Sequence, residues 1–179
     1  EFTWAEFVQR NNSELVNGWG NLVNRVATMT HRSFGEIPPA GPLEAVDEEL
    51  LAAVSDGFAS VGGLLERQRV RAATAEVMRI VGEANAYVSR TEPFRLKGDD
   101  ERERLGTVLH VLVQAVSDLN TMMSPFLPHS ANAIHRVLGG EGDFVPMPRL
   151  EEVDDLDGGP GYPVITGDYA STPAWESRP

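Results

Sequence analysis

Cysteine is absent from the 179-residue chain, which excludes disulfide frameworks, thiolate zinc sites, redox dithiols and cysteine nucleophiles together. The compartment this implies is reducing, or indifferent to oxidation. Long apolar runs are missing as well. None approaches the roughly 18 to 20 residues needed to cross a bilayer, so no membrane span is expected. The opening Glu1-Phe2 has neither a basic nor an apolar leader region, so no signal peptide is predicted, and the want of an initiator Met reads as a fragment. Also missing are a Gly-rich phosphate loop of either common kind, His-Glu-x-x-His and a Gly-x-Ser-x-Gly elbow. The four histidines, His31, His110, His129 and His135, form no ligand set by spacing, and the Glu-x-x-His pairs of a di-iron bundle do not occur. We therefore expect no catalytic residues, no metal ligands and no cofactor on this chain.

A net charge of −12 argues, taken alone, against a nucleic-acid surface. Its distribution along the chain weakens that objection. Residues 37–64 carry five acidic and no basic groups, and residues 141–179 carry nine acidic and two basic ones. Residues 65–104 instead hold nine basic against eight acidic groups, so the body can still meet an anion. The length fits one domain with a small appendage.

Helical periodicity dominates residues 1–140. Thr3-Trp4-Ala5-Glu6 is a capping box, and Phe7 or Val8, Leu15, Trp19, Leu22, Val26 and Met29 then keep one stripe toward a core until about Thr30. Gly35 to Pro42 contains three prolines and is expected to be an exposed, stiff loop. A second helix is predicted from Asp47 as N-cap through Val61, to Gly62-Gly63 or weakly beyond. A third runs from about Arg67 to Ser89, stopping before Pro93. A fourth starts near Asp99-Asp100 and carries Leu105 to Met123, and a short fifth spans Ser130 to Leu138. No strand alternation or internal repeat appears. The predicted fold is all-α, an antiparallel bundle of four long helices plus one short over residues 1–140, followed by an acidic Pro/Gly/Asp-rich tail, 141–179, extended or partly disordered.

Two features point to chemistry. The first helix holds Asn11, Asn12, Asn17, Gly18, Gly20, Asn21 and Asn24, poor helix formers that each cost up to about 1 kcal/mol relative to Ala. Asn17, Asn21 and Arg25, spaced four apart, would form a polar ridge about 12 Å long. Amide plus guanidinium is equipment for reading base edges and phosphate. The competing explanation is that these amides bond neighbouring helices. The second feature is Glu92-Pro93-Phe94, where an aromatic beyond a helix-ending proline could stack on an unstacked base or plug the core.

The string from Asn11 to Arg25, with Glu83-Ala84-Asn85-Ala86-Tyr87, Glu92-Pro93-Phe94 and Ser124-Pro125-Phe126-Leu127-Pro128, resembles the anticodon-binding domain of bacterial methionyl-tRNA synthetases, over about residues 3–140. The resemblance implies the class I synthetase helical bundle and an anticodon site at Asn21, Arg25, Phe94 and Pro93, with Asn17 a weaker candidate. This sequence has Phe94 where that family usually has Trp. The family's His-x-Gly-His and Lys-Met-Ser-Lys-Ser signatures are absent, so ATP, and zinc as a further candidate, would belong to a catalytic domain lying elsewhere. The implied partners are the CAU anticodon loop of tRNA(Met) and that catalytic domain, in the cytoplasm and with no membrane. The apolar stripes suffice for one core and leave no second apolar face, so a monomer is expected. The alternative is a synthetase-derived helical module that docks a protein and no longer reads tRNA.

Overall fold

A computed structural model of the chain describes residues 3–145, 149–151 and 164–166. The capping box forms as the sequence predicts: the Glu6 N–H donates to Thr3 Oγ1 and the Thr3 hydroxyl to Glu6 Oε2, both at 3.2 Å. Helix α1 (Trp4–Arg10) passes into a π-helical stretch, Asn11–Gly20, and then into α2 (Asn21–Phe34). Gly20 stays right-handed, at φ −59° and ψ −41°, so the three segments are one continuous helix. The wider π winding falls where the Asn- and Gly-rich sequence supports the α form least, and such stretches are associated with function. The helix ends four residues later than periodicity predicts. Gly35 adopts φ 76° and donates its N–H to His31 O at 3.0 Å, the left-handed cap that glycine permits.

The apolar stripe of this helix is buried only from Trp19 onward. Trp19, Leu22 and Val26 are inside, whereas Trp4, Val8 and Val16 are exposed. The proline loop is less exposed than expected. Pro38 is buried and its carbonyl meets His110 Nδ1 at 2.9 Å, while the Gly41 N–H donates to Thr107 Oγ1 at 2.9 Å.

Helix α3 (Ala45–Glu66) runs through Gly62-Gly63, and α4 (Val70–Thr91) returns beside it. Asp47 is not the N-cap of α3. Glu44 holds that position, and Asp47, three residues in, accepts the Glu44 N–H at 2.8 Å. Tyr87 meets Asp47 and Glu76 meets Ser60, so α3 and α4 are antiparallel. Asn85 of α4 bonds Gly18 O and Arg25, and Met78 lies against Gly18, so the first helix runs parallel to α4. Helix α5 (Arg102–Met123) packs against α2, α3, α4 and α6 (Pro128–Val137) and is buried on nearly every side. Its composition explains this, because residues 105–123 hold one charged side chain, Asp118.

Beyond α6 the chain doubles back. Asn132 donates to Val145 O at 2.9 Å and accepts the Val145 N–H at 2.8 Å, gripping that peptide from both sides. The rings of His135 and Phe144 stack at 5.0 Å. Two three-residue strands, β1 (Arg149–Glu151) and β2 (Val164–Thr166), pair antiparallel with Leu150 opposite Ile165, segments too short to show alternation in the sequence. The rest of residues 146–179, expected to be extended or partly disordered, lies outside the described residues.

Candidate nucleic-acid interface

Asn17, Asn21 and Asn24 are exposed, and none has a hydrogen-bond partner among the described residues. The amides of the first helix at these positions are therefore not used in bundle packing. The packing role falls to Asn85 on α4, whose side chain donates to Val81 O at 3.0 Å and Gly18 O at 3.3 Å while its Oδ1 accepts Arg25 Nη2 at 2.7 Å. Arg25 is half-buried and its Nε is buried without a partner. One end of the guanidinium is thus fixed in direction, one α-turn from Asn21. Asn17 stands in the π stretch just before them.

Phe94 does not plug the core. The residue is 55% exposed, and the buried residue at the break is Pro93. Helix α4 ends at Thr91 and is capped by Glu92, which takes the left-handed conformation at φ 42° and donates its N–H to Val88 O at 3.0 Å. The following turn is closed by Arg95 N–H to Glu92 O at 2.8 Å and Leu96 N–H to Pro93 O at 3.3 Å. On its far side the Glu101 carboxylate accepts the N–H groups of Gly98 at 2.9 Å and Lys97 at 3.0 Å, bonds that hold its pKa below the usual carboxylate value. Left-handed geometry at a non-glycine residue is costly and persists where the surroundings enforce it. The result is a fixed turn presenting an aromatic to solvent, about two helical turns beyond Asn85.

A buried charge cluster braces the same end of α4. Asp47 is 0% exposed and accepts from Arg104 Nη1 at 2.5 Å, Arg104 Nη2 at 2.9 Å and the Tyr87 hydroxyl at 2.5 Å. Burial works to raise the Asp47 pKa, but bonds from Arg104, the Glu44 N–H and Tyr87 outweigh it and hold the carboxylate below its ordinary value. Burial, and the bond to Asp47, push the Tyr87 phenol well up, and Asp47 likewise raises Arg104. Sequence reasoning missed this cluster and the role of Asn85. The only hints were an acid three residues after Glu44 and a tyrosine within an apolar stripe.

No group of His, Asp or Glu among the described residues could hold a metal ion, and none of the described helices is long and apolar enough to cross a membrane. An apolar cleft of about 510 Å3 between the ends of α3 and α5 is lined by Phe58, Val61, Met122 and Pro125, with Glu66 its one titratable group, so it offers no acid–base pair.

Residues 37–167 match the family model described as the anticodon binding domain of methionyl tRNA ligase, and residues 1–27 match that of class I tRNA synthetases (M). The chain is 58% identical over 179 residues to the methionine–tRNA ligase of Nocardioides sp. strain JS614, covering 100% of this chain and 30% of that protein. It is 57% identical over 181 aligned positions to that of Salinispora tropica, with the same coverage of 100% and 30%. Methionyl-tRNA synthetase of Mycobacterium tuberculosis in complex with methionyl-adenylate superposes with TM-score 0.75 at 28% identity, over 78% of this chain and 28% of that one. The apo form of the same enzyme gives TM-score 0.76 at 27% identity, over 80% and 30%. This chain belongs to the methionyl-tRNA ligase family, as its anticodon-binding part, and spans about 30% of the length of the relatives it matches. The two family models divide the candidate site: Asn17, Asn21 and Arg25 fall in the segment matched to the synthetase model, Pro93 and Phe94 in the anticodon domain.

Proposed function

We propose that this chain reads the CAU anticodon loop of tRNA(Met), while a catalytic domain outside it joins methionine to that tRNA. Asn21 and Arg25 reach base edges, Asn17 adds a contact one turn earlier, and Phe94, set outward by buried Pro93, stacks on an unpaired base. The observation that carries the reading is the combination of unpartnered, exposed Asn21 and Phe94 with an Arg25 already aimed by Asn85. Preset groups lose little freedom on binding. ATP, and zinc as a further candidate, act on the catalytic domain. The cytoplasm is the compartment and the chain is monomeric. The protein-docking alternative has one feature in its favour, exposed Trp4, Val8 and Val16, but these lie in the segment matched to the class I synthetase model, and so are equally available to the catalytic domain of the proposed reading.

The test is binding to a hairpin bearing the CAU loop beside one with its first anticodon base changed. The CAU hairpin binds more tightly, and Asn21→Ala, Arg25→Ala and Phe94→Ala each erase the difference. Equal binding of both hairpins by the unaltered chain overturns the reading.

A further inference from the structure

Several arginines of the described body are neutralised locally. Arg79, Arg90, Arg95, Arg104 and Arg136 each reach a carboxylate, at 2.8, 3.0, 3.0, 2.5 and 2.8 Å respectively. Arg67, Arg69 and Arg71 do not. They sit together at the α3–α4 junction, Arg67 and Arg69 in the connecting turn and Arg71 in the first turn of α4, all exposed, and none has an ion-pair partner among the described residues. Arg69 and Arg71 line a shallow, open concavity of about 530 Å3 together with Ala72 and Ala75. Three unpaired guanidinium groups within five residues repel one another, an arrangement unexpected on a chain of net charge −12 unless an anion relieves it.

The turn is also placed with respect to the candidate site. Asn85, Met78 and Arg71 are seven residues apart, close to two full helical turns at each step, so they share one face of α4. That face meets the first helix, because Asn85 bonds Gly18 O and Arg25, and Met78 Cε lies 3.5 Å from where a Cβ on Gly18 would stand. Arg71 extends the stripe into solvent, about 21 Å from Asn85 at 1.5 Å per residue. Phe94 lies beyond Asn85 in the opposite direction. The first helix runs parallel to α4, so its N-terminal end, matched to the class I synthetase model, points the same way as the basic turn. An RNA held by its loop at Phe94 and Arg25, and presented to the domain at that end, passes Arg71.

We infer that the Arg67–Arg69–Arg71 turn is a second RNA contact, a phosphate clamp on the paired stem carrying the loop read at Asn21, Arg25 and Phe94; this rests on the anticodon reading above. Guanidinium groups bind phosphate oxygens without regard to sequence, so the clamp supplies affinity and orientation while the loop contacts supply discrimination.

The experiment measures binding of the full chain, from about 50 to about 200 mM salt, to three RNAs: a CAU hairpin with its stem, the same hairpin with an altered loop, and the CAU loop sequence without a stem. The variants are Arg67→Gln/Arg69→Gln/Arg71→Gln and the matching triple Lys variant. All three side chains are exposed and unpartnered, so the unfolding midpoint stays put. For both hairpins the Gln variant lowers the slope of log affinity against log salt by roughly 2 to 3, at about 0.7 to 0.9 per phosphate contact. The ratio between CAU and altered hairpins is unchanged, the stemless RNA is unaffected, and the Lys variant restores the slope. An unchanged slope in the Gln variant overturns the clamp and leaves the anticodon reading intact if the CAU preference persists. A slope change without any CAU preference in the unaltered chain supports the clamp and overturns the anticodon reading. Equal loss on the stemless RNA overturns the assignment to the stem, and no binding to any of the three overturns both.

Discussion

Replacing Asp47 by Asn removes the charge at the centre of the α3–α4–α5 cluster at nearly constant volume. Asp47 is fully buried and receives four hydrogen bonds, two from Arg104, one from Tyr87 and one from the Glu44 N–H. An amide offers one oxygen to those donors and turns its own NH2 toward a guanidinium. Breaking a buried pair by removing one partner costs about 3–5 kcal/mol, a large share of the roughly 5–15 kcal/mol that holds a domain folded. Arg104 keeps 23% exposure and has Glu44 Oε1 at 3.2 Å, so part of its charge stays compensated. That places the expected loss near the lower bound, about 3 kcal/mol. The assay is urea unfolding followed by far-UV circular dichroism at neutral pH, where the midpoint falls and the slope holds. The sign of the pH dependence follows from the carboxylate. Its folded pKa lies below the ordinary 3.8, so the contribution is complete above that value and is lost as pH falls through the lowered one. The gap between the unaltered chain and Asp47→Asn should therefore close in acid. An unchanged midpoint at neutral pH, or a gap of constant size from about pH 5 to about pH 2, refutes this account.

Gly57 is buried where α3 crosses its neighbours, and a Cβ there would stand 2.5 Å from Ile80 Cδ1 and 3.2 Å from Met122 Sδ. Gly57→Ala should destabilise by about 1–2 kcal/mol, overpacking exceeding the helix-propensity gain of about 0.5–1 kcal/mol; a raised thermal midpoint would refute the packing argument. Asn85→Ala leaves Arg25 and Gly18 O without their shared partner. It should cost about 1–3 kcal/mol in unfolding and weaken the CAU preference. Phe94→Ala should instead alter stability by less than about 0.5 kcal/mol, because the residue is already exposed. Equal effects of the two on stability would show that Asn85 and Phe94 do not divide into a brace and a reader.

What can be read in the sequence, and what cannot, divides along local and tertiary causes. The capping box at Thr3, the apolar run of α5 from Leu105 to Met123 and the stop of α4 before Pro93 follow from local propensity and apolar spacing, and the structure has them, although α4 runs to Thr91 rather than Ser89 and α5 begins at Arg102 rather than near Asp99. Spacing misplaces Asp47 as an N-cap because it reports only that an acid lies near a helix start. The burial of that acid depends on Tyr87 and Arg104, 40 and 57 residues away. The π stretch is visible as a run of poor helix formers but not as a change of winding, since several turns of the same bundle could absorb the cost. Exposure of Phe94 rather than Pro93 is likewise undecided by sequence. It is set by the left-handed Glu92 and by the Glu101 carboxylate holding the far side of the turn. Asn85 is legible only through resemblance, because one amide in an apolar helix stripe looks the same whether it meets water or braces an arginine.

The net acidity bears on the proposed RNA contacts through how the charges are paired locally. Asp47 and Glu44 are held by Arg104, Glu49 by Arg90, Glu76 and Glu83 by Arg79, and Glu92 by Arg95. The Arg90–Glu49 and Arg95–Glu92 pairs cancel one to one over a few ångströms, shorter than the Debye length of about 8 Å at physiological salt, so each contributes little field at an approaching phosphate, whereas Arg104 and Arg79 each serve two carboxylates and leave one negative charge behind. Arg67, Arg69 and Arg71 at the α3–α4 junction, and Arg25 on the first helix, are guanidinium groups without carboxylate partners among the described residues, as are Arg32 and Arg102. On the proposed reading, global charge would govern how fast RNA approaches, and the unpaired arginines where it stays. A chain built this way would hold non-cognate RNA weakly at physiological salt and depend on loop contacts for residence, which is what discrimination between similar anticodons demands.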